Sequence, residues 1–230
     1  MVRNLMTEPL SKSQVLEILQ SRASTYSFLS AVYREELTSA MLSELVQQMA
    51  GEAEGESESE GYHILRQYAA SVDPQDLGRE TTDLAAEYAA LFLNMSENPV
   101  FPFESVYTSP ERLLMQEAWD QVVAEYRQEG LDRVGEFREP EDHVAIELEF
   151  MGYLCQKAAD AVKAGDTATA KKYLAKQQEF LQKHLLVWVP QLCKDIQHVT
   201  RTGFYKGIAL ITDEYLSMEN ETVAELMGAL

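Results

Sequence analysis

Apolar side chains recur at steps of three and four residues along most of the 230-residue chain. The first run, from Val15 through Leu19 to Leu29, predicts a helix of about 20 residues that Ser11 or Ser13 caps. Similar runs predict further helices over residues 39–50, 62–71, 80–94, 111–128, 141–163, 167–198 and 204–216. No run alternates apolar and polar positions as a strand does. The pattern therefore predicts an all-α fold, a single-domain bundle of about eight to ten helices over residues 1–230.

Two stretches interrupt this helical pattern. Glycine, serine and glutamate fill most of residues 51–61, which predicts an acidic linker without regular structure. Residues 95–110 contain Pro99, Pro102 and Pro110, which forbid a continuous helix. Connections of this length in helical domains are often functional or join two lobes. We therefore expect residues 95–110 to be a rigid connection whose Phe101, Phe103 and Tyr107 fill the core, to contribute to binding, or both, and we expect any division into two lobes to have its hinge here.

The composition favours a basic partner. Lys and Arg number 19 against 38 Asp and Glu, which gives a net charge of −19. Such a surface repels nucleic acid and anionic lipid but attracts a basic peptide. The only two cysteines, Cys155 and Cys193, lie in apolar helical patterns and are expected to be buried thiols. The sequence has neither a secretory signal nor an apolar stretch long enough to cross a bilayer, so we expect a cytoplasmic protein without stable membrane insertion.

The segment before the predicted helix at 141–163 concentrates polar chemistry. Pro140 suits the first turn of a helix, where its missing N–H costs nothing, and Glu141 and Asp142 complement the positive helix end. His143 is expected at the mouth of this helix, because the buried stripe begins only with the next residue and consists of Val144, Leu148, Met151, Cys155 and Ala158.

Residue patterns for catalysis are sparse. Glu60 and His63 have the Glu-x-x-His spacing of a carboxylate-bridged di-metal bundle, while Asp195 and His198 match it only in part. Neither a Walker loop nor a strand-linked G-x-G-x-x-G occurs. The sequence therefore predicts a protein that is not an enzyme, with no catalytic residue, no metal site and no cofactor. A di-metal helical-bundle enzyme is the weaker alternative.

Four segments follow one another in an order typical of one protein family. They resemble the TorD/DmsD/NarJ-type family of redox-enzyme maturation chaperones, although Glu141 replaces a usual Asp and Asn94-Met95-Ser96 a usual Gly-Pro turn. The matching residues are Tyr88, Leu91 and Phe92; Pro99, Pro102, Glu104, Ser105, Val106 and Tyr107; Glu139, Pro140, Asp142, His143, Leu148 and Met151; and Phe180, His184, Leu185, Trp188 and Pro190 before Phe204, Tyr205, Ala209 and Leu216.

The resemblance implies a TorD-like cytoplasmic chaperone. Its partner would be the twin-arginine leader and apo-form of a molybdopterin oxidoreductase of the DMSO/TMAO reductase type, which it would hold during cofactor insertion before export. Such a leader has paired guanidinium groups followed by an apolar run. A protein that binds it therefore requires carboxylates beside a hydrophobic groove. The leader-binding residues implied by the resemblance are Asp142, His143, Glu139, Pro140, Glu104, Ser105, Tyr107, Phe101 and Phe103.

Two further expectations stay open at this point. A generic adaptor that binds another amphipathic helix in a groove shares most of these features, but it would tolerate lysines in place of paired arginines. Helix exchange through residues 95–107 offers a route to a homodimer.

His184 and Trp188 lie one helical turn apart and are expected to be core residues, and Pro190 is expected to kink or break its helix.

Overall fold

The computed structural model of the protein describes residues 10–51, 59–132 and 137–230. Within these ranges the chain forms helices and no strand, which confirms the predicted all-α fold. Most of the predicted acidic linker, residues 52–58, lies outside the described residues. None of the described helices has the length and apolar character needed to cross a membrane.

The described part of the chain forms ten α-helices, and a π turn at Leu181–Leu185 joins the eighth to the ninth. Their bounds are α1 Lys12–Arg34, α2 Ser39–Gly51, α3 Glu60–Ser71, α4 Leu77–Phe92, α5 Glu104–Thr108, α6 Glu117–Gln128, α7 Val144–Ala164, α8 Thr167–Phe180, α9 Leu186–Val199 and α10 Gly203–Ala229.

Helix α7 is the most buried long element and packs against α1 and α8, while α10 packs against α3 and α9. The crossing of α3 and α10 depends on two glycines. A Cβ at Gly61 would lie 2.6 Å from the backbone nitrogen of Ile211, and one at Gly207 would lie 3.1 Å from the Gly61 carbonyl oxygen. The main apolar core draws residues from both sides of residues 95–110, and the division into two lobes stays a prediction.

Several predicted boundaries differ from the structure. Ser11 caps α1 through a reciprocal bond with Gln14, as expected. Helix α6 begins at Glu117 rather than at residue 111, because residues 109–116 form a loop in which Arg112 and Met115 have φ angles of 54° and 55°. Helix α10 continues to Ala229, well past residue 216, since apolar side chains in its last turns pack on α1, α7 and α8.

The prediction for Pro190 was a kink or a break. Helix α9 runs through this residue without a break, and the kink stays a prediction. The irregularity lies one turn earlier instead, at the π turn, whose wider winding interrupts the normal α-helical register. His184 belongs to this turn and is buried, and Trp188 on the next turn is also buried, as expected for core residues.

A buried ion pair joins the two terminal helices of the bundle. The guanidinium of Arg22 on α1 donates to both carboxylate oxygens of Glu219 on α10 at 2.6–3.0 Å. It also donates to Gln177 Oε1 on α8 at 2.8 Å, and the hydroxyl of Tyr26 donates to Glu219 at 2.7 Å. Arg22 and Glu219 are only 4% and 2% exposed, so each charge depends on the other for its compensation.

Replacing Arg22 with methionine should lower the free energy of unfolding by about 3–5 kcal/mol, because Glu219 would stay buried without its cation. The matched control is Arg79→Met at an exposed pair on α4, where Arg79 and Asp83 are 75% and 66% exposed. We expect this control to change stability by less than about 1 kcal/mol. Urea unfolding measures both, and equal losses in the two variants would contradict the role given to the buried pair.

Candidate functional site

The two most distinctive segments of the sequence lie side by side in the structure. Residues 100–108, which we call the strap, run antiparallel to residues 142–144 through a bridge between Phe103 and His143. The Glu104 N–H donates to the Asp142 carbonyl and the Val144 N–H to the Pro102 carbonyl, each at 2.9 Å. The strap is therefore fixed to the start of α7 by backbone hydrogen bonds.

Asp142 reinforces this pairing with its side chain. Its Oδ2 accepts a hydrogen bond from the Ser105 N–H at 2.9 Å, and the residue is 0% exposed. Burial raises the pKa of the Asp142 carboxyl above its ordinary value, although the hydrogen bonds with Ser105 oppose the shift. The Asp142 carboxylate thus faces the strap from inside the protein.

The start of α7 differs from the prediction. The helix begins at Val144 with His143 as its N-cap, so Pro140, Glu141 and Asp142 precede it instead of forming its first turn. The reason is that the side chains of Glu141 and Asp142 bind other parts of the protein. Asp142 is bound to the strap, and the Glu141 carboxylate accepts a hydrogen bond from Trp119 Nε1 on α6 at 2.6 Å.

His143 combines a capping role with an aromatic environment. Its Nδ1 accepts a hydrogen bond from the Ala145 N–H at 3.1 Å. The rings of Phe103 and Phe137 meet the imidazole edge-on, with centroids 5.1 and 5.2 Å away. Burial, followed by the positive charge of Arg34, lowers the pKa of His143 to about 3. The imidazole is therefore neutral at physiological pH, and because Nδ1 is an acceptor its proton is on Nε2.

A cavity of about 450 Å³ opens beside His143, and we call it the acidic cleft. Three glutamates at its mouth are exposed and four aromatic rings form its walls. Its lining consists of Arg34, Glu35, Glu36, Tyr88, Phe92, Leu93, Pro102, Phe103, Phe137, Glu139 and His143.

Arg34 is the one basic side chain among the described residues that line the cleft, and it is already engaged. Its guanidinium lies 4.8 Å from the centre of the Phe137 ring and forms an ion pair with Glu149. The cleft therefore combines surplus negative charge at its mouth with an apolar, aromatic interior. A cationic group attached to an apolar chain matches this combination.

Most of the predicted site residues are buried, including Phe103 and His143, and they differ in whether they line the cleft. Glu139, Phe103 and His143 line the cleft. Asp142, Glu104 and Ser105 lie behind it and are buried. The carbonyl of Pro140 accepts a hydrogen bond from the His143 N–H at 3.1 Å.

Two predicted aromatic residues lie on the strap but not in the cleft lining. Tyr107 is directed towards α9, where its hydroxyl donates to Asp195 at 3.0 Å and its ring lies 5.5 Å from that of Trp188. Phe101 is 40% exposed on the surface of the strap.

Several cleft residues were not predicted from the sequence. Arg34, Glu35 and Glu36 come from the end of α1, and Phe137 from the segment before α7. The signal available in the sequence was a run of charged residues directly after an apolar stripe. Nothing in that local pattern indicates that the end of α1 lies beside a segment about 100 residues later, since only the packing of α1 on α7 brings them together.

A second group of polar side chains lies beneath the strap. The Glu104 carboxylate accepts from His184 Nδ1, with oxygens at 2.9 and 3.2 Å, and both residues are buried. Glu147 on α7 is 0% exposed, and its Oε2 accepts from Trp188 Nε1 at 3.1 Å. We call Glu104, Asp142, Glu147 and His184 the buried cluster.

The weaker alternative of a di-metal enzyme has no ligand set among the described residues, where no group of three or more His, Cys, Asp and Glu side chains is placed to hold a metal ion. Glu60 and His63 share the first turns of α3, and His63 Nε2 lies 2.8 Å from the side-chain nitrogen of Gln67.

Comparisons with known proteins agree with the resemblance drawn from the sequence. The family model described as nitrate reductase delta subunit matches residues 40–194, more than half of the chain. A protein named chaperone protein TorD from Vibrio cholerae serotype O1 is 28% identical over 221 residues, covering 93% of this chain and 97% of the relative. TorD chaperones of Vibrio parahaemolyticus and Shewanella pealeana are each 25% identical over 217 residues, covering 91% and 90% of this chain and 96% and 92% of the relatives. The chain therefore belongs to the nitrate reductase delta subunit family, the family of TorD- and NarJ-type redox-enzyme maturation chaperones.

Proposed function

We propose that this protein is a cytoplasmic, non-catalytic chaperone that binds the twin-arginine leader and the apo-form of a molybdopterin oxidoreductase of the DMSO/TMAO reductase type. It holds both until the cofactor is inserted and export can begin. Membership of a chaperone family supports the general role. The acidic cleft is the observation that carries the assignment of the leader. The homodimer formed by helix exchange stays a prediction.

The chemistry of the cleft fits a leader in three respects. Glu35, Glu36 and Glu139 at the mouth provide carboxylates for adjacent guanidinium groups. Aromatic walls accept the apolar side chains that follow the arginines. The protonated Nε2 of His143 is a donor for a leader carbonyl group, because the imidazole is neutral and its Nδ1 is occupied by Ala145.

We propose different roles in leader binding for the predicted residues. Glu139, Phe103 and His143 are proposed to contact the leader. Asp142 and Ser105 are proposed to act through the strap, because their hydrogen bond fixes Phe103 and His143 in the cleft wall. Phe101, Tyr107 and Pro140 flank this unit, and direct contact between them and the leader stays a prediction.

Leader binding should depend on paired arginines and on the glutamates at the cleft mouth. The double variant Glu35→Gln, Glu36→Gln should weaken binding of a twin-arginine peptide about 10-fold, and replacing both peptide arginines with lysines should cost a similar factor. Titration calorimetry measures both, and increasing salt should reduce the affinity of the wild-type chain. Glu17→Gln is the matched control, because it removes an exposed carboxylate at the opposite end of the same helix.

The outcomes separate the alternatives. Equal affinity for arginine and lysine peptides would favour a generic helix-binding adaptor. The control removes one charge and the double variant two. A loss of about 3-fold in Glu17→Gln, half of the binding free energy lost in the double variant, would therefore show that net charge, and not the cleft, attracts the peptide.

Asp142 and His143 can be tested by comparing conservative and disruptive changes. Asp142→Ala should weaken leader binding about 10-fold and lower stability by about 1–3 kcal/mol, because the Ser105 N–H loses its buried acceptor. Asp142→Asn keeps an oxygen for Ser105 and should restore most of both losses. His143→Ala should also weaken binding about 10-fold, with a loss of about 1 kcal/mol from the missing N-cap.

Calorimetry with the leader peptide and thermal melts of each variant provide the measurements. A folded Asp142→Asn variant that loses leader affinity as strongly as Asp142→Ala would show that Asp142 pairs directly with a leader arginine. Unchanged binding in His143→Ala would place the leader elsewhere.

A further inference from the structure

The buried cluster connects the strap to the π turn. Glu104 is the first residue of α5, and its backbone N–H is bound to the Asp142 carbonyl while its side chain is bound to His184 on the π turn. Two residues earlier, Pro102 lines the cleft, and so does Phe103. The position of these two cleft residues therefore depends on where Glu104 is held.

The cluster brings three acids close together, and one of them is paired with an imidazole. Glu147 lies beside Glu104 from α5, Asp142 from the segment before α7, Trp188 from α9 and Tyr126 from α6. His184 from the π turn is paired with Glu104. Of these groups only His184 is able to carry a positive charge. In a buried environment, two neighbouring carboxylates repel each other far more strongly than they do in water.

Glu147 is the acid whose neutral form its surroundings favour. Burial, and then the negative charge of Glu104, raises the pKa of the Glu147 carboxyl well above its ordinary value, while the hydrogen bond from Trp188 opposes the shift. The other oxygen of Glu147, Oε1, has no hydrogen-bond donor among the described residues. An ionised Glu147 would therefore place an incompletely solvated charge against Glu104.

We propose that Glu104, Glu147 and His184 are positioning residues for ligand binding in the acidic cleft. With Glu147 neutral, the pairing of Glu104 with His184 holds the strap so that Pro102 and Phe103 complete the cleft wall. When Glu147 ionises, repulsion displaces Glu104 and loosens the strap. The effect on leader binding rests on the proposed function. The effect on the position of the strap does not.

The change in affinity should be visible in a pH range where the cleft itself keeps its charge. Solvent-exposed carboxylates and arginines do not titrate between about pH 6 and pH 9. His143, whose pKa is lowered to about 3, stays neutral throughout that range.

Stability should follow the same ionisation. The folded Glu147 carboxyl holds its proton to a higher pH than the unfolded one, whose ordinary pKa is 4.5. The wild-type chain therefore loses stability as the pH rises from that value towards the folded pKa, whereas Glu147→Gln carries no such loss. As the pH rises above about 5, the melting temperature of Glu147→Gln should therefore fall less than that of the wild type.

The strap can be tested without any ligand by hydrogen exchange, corrected for the intrinsic effect of pH. In the wild-type chain, protection of the Glu104, Ser105 and Val144 amides should fall at least about 10-fold between pH 6 and pH 9, while amides in the centre of α10 keep theirs. In Glu147→Gln, strap protection should stay constant. Trp188→Phe removes the hydrogen bond that favours the charged acid, so its loss of protection should begin at a higher pH.

Leader affinity is then measured over the same pH range with an N-acetylated peptide whose basic residues are all arginines, so that the peptide keeps its charge. We expect the wild-type chain to lose about 10-fold in affinity and Glu147→Gln less than about 3-fold. If Glu147 had only a structural role, Glu147→Gln would change stability, but its leader affinity would depend on pH as that of the wild type does.

Constant strap protection in the wild-type chain would overturn the inference, even if Glu147→Gln failed to fold. So would a Glu147→Gln variant that loosens with pH as the wild type does. If strap protection changes as expected but the peptide does not bind at any pH, the leader assignment is refuted. The role of the buried cluster in positioning the strap then still holds.

Discussion

The pairing of the strap with residues 142–144 is the interaction on which the functional region depends. Backbone hydrogen bonds at Glu104 and Val144, and the Asp142 carboxylate on the Ser105 N–H, turn two irregular segments into one rigid unit. Without it, His143 would lose the ring of Phe103, and the cleft would lose one wall. The polar groups of this unit are buried, so they are favourable only while each has its partner. The hydrogen bonds that shape the cleft therefore also stabilise this part of the fold.

The acidic residues of the chain serve two separate purposes. The chain has 38 acidic residues and a net charge of −19, and most of the acidic residues that the structure describes are not buried. Glu104, Asp142 and Glu147 are instead buried within a few residues of the cleft wall. Exposed carboxylates attract a cation over distances of about 10 Å, limited by salt. Buried carboxyls act over contact distances only, through shape and hydrogen bonding. The two populations are therefore expected to respond to different conditions, the first to ionic strength and the second to pH.

Local patterns made the helices predictable, because each buried stripe follows the helical period and Ser11 provides a cap. Those same rules misplaced the starts of α6 and α7. At residues 109–116, apolar side chains with helical spacing are exposed in a loop, where the Ser105 hydroxyl accepts the Gln116 N–H at 3.0 Å. At residues 140–142, helix-favouring chemistry is used instead to bind the strap and α6. In both places a tertiary hydrogen bond outweighs a local preference.

The candidate site was predictable only in part for a similar reason. Motif order identified Glu139, His143 and Phe103, which line the cleft, but it could not separate them from Asp142 and Glu104, which lie behind it. Burial of a polar residue depends on what packs over it, and here that is a segment distant in sequence. The contribution of Glu35 and Glu36 was missed because it arises from the packing of α1 on α7.

The distance along the chain between strap partners also determines when the cleft can form. Ser105 and Asp142 are 37 positions apart, and Glu104 and His184 are 80 apart. Closing such loops costs entropy that is recovered only when the joined segments pack, so contacts of this kind form late in folding. During synthesis on a ribosome, all residues that line the cleft emerge before the π turn, whose His184 holds Glu104. The strap of a nascent chain therefore lacks this support until the π turn has been made.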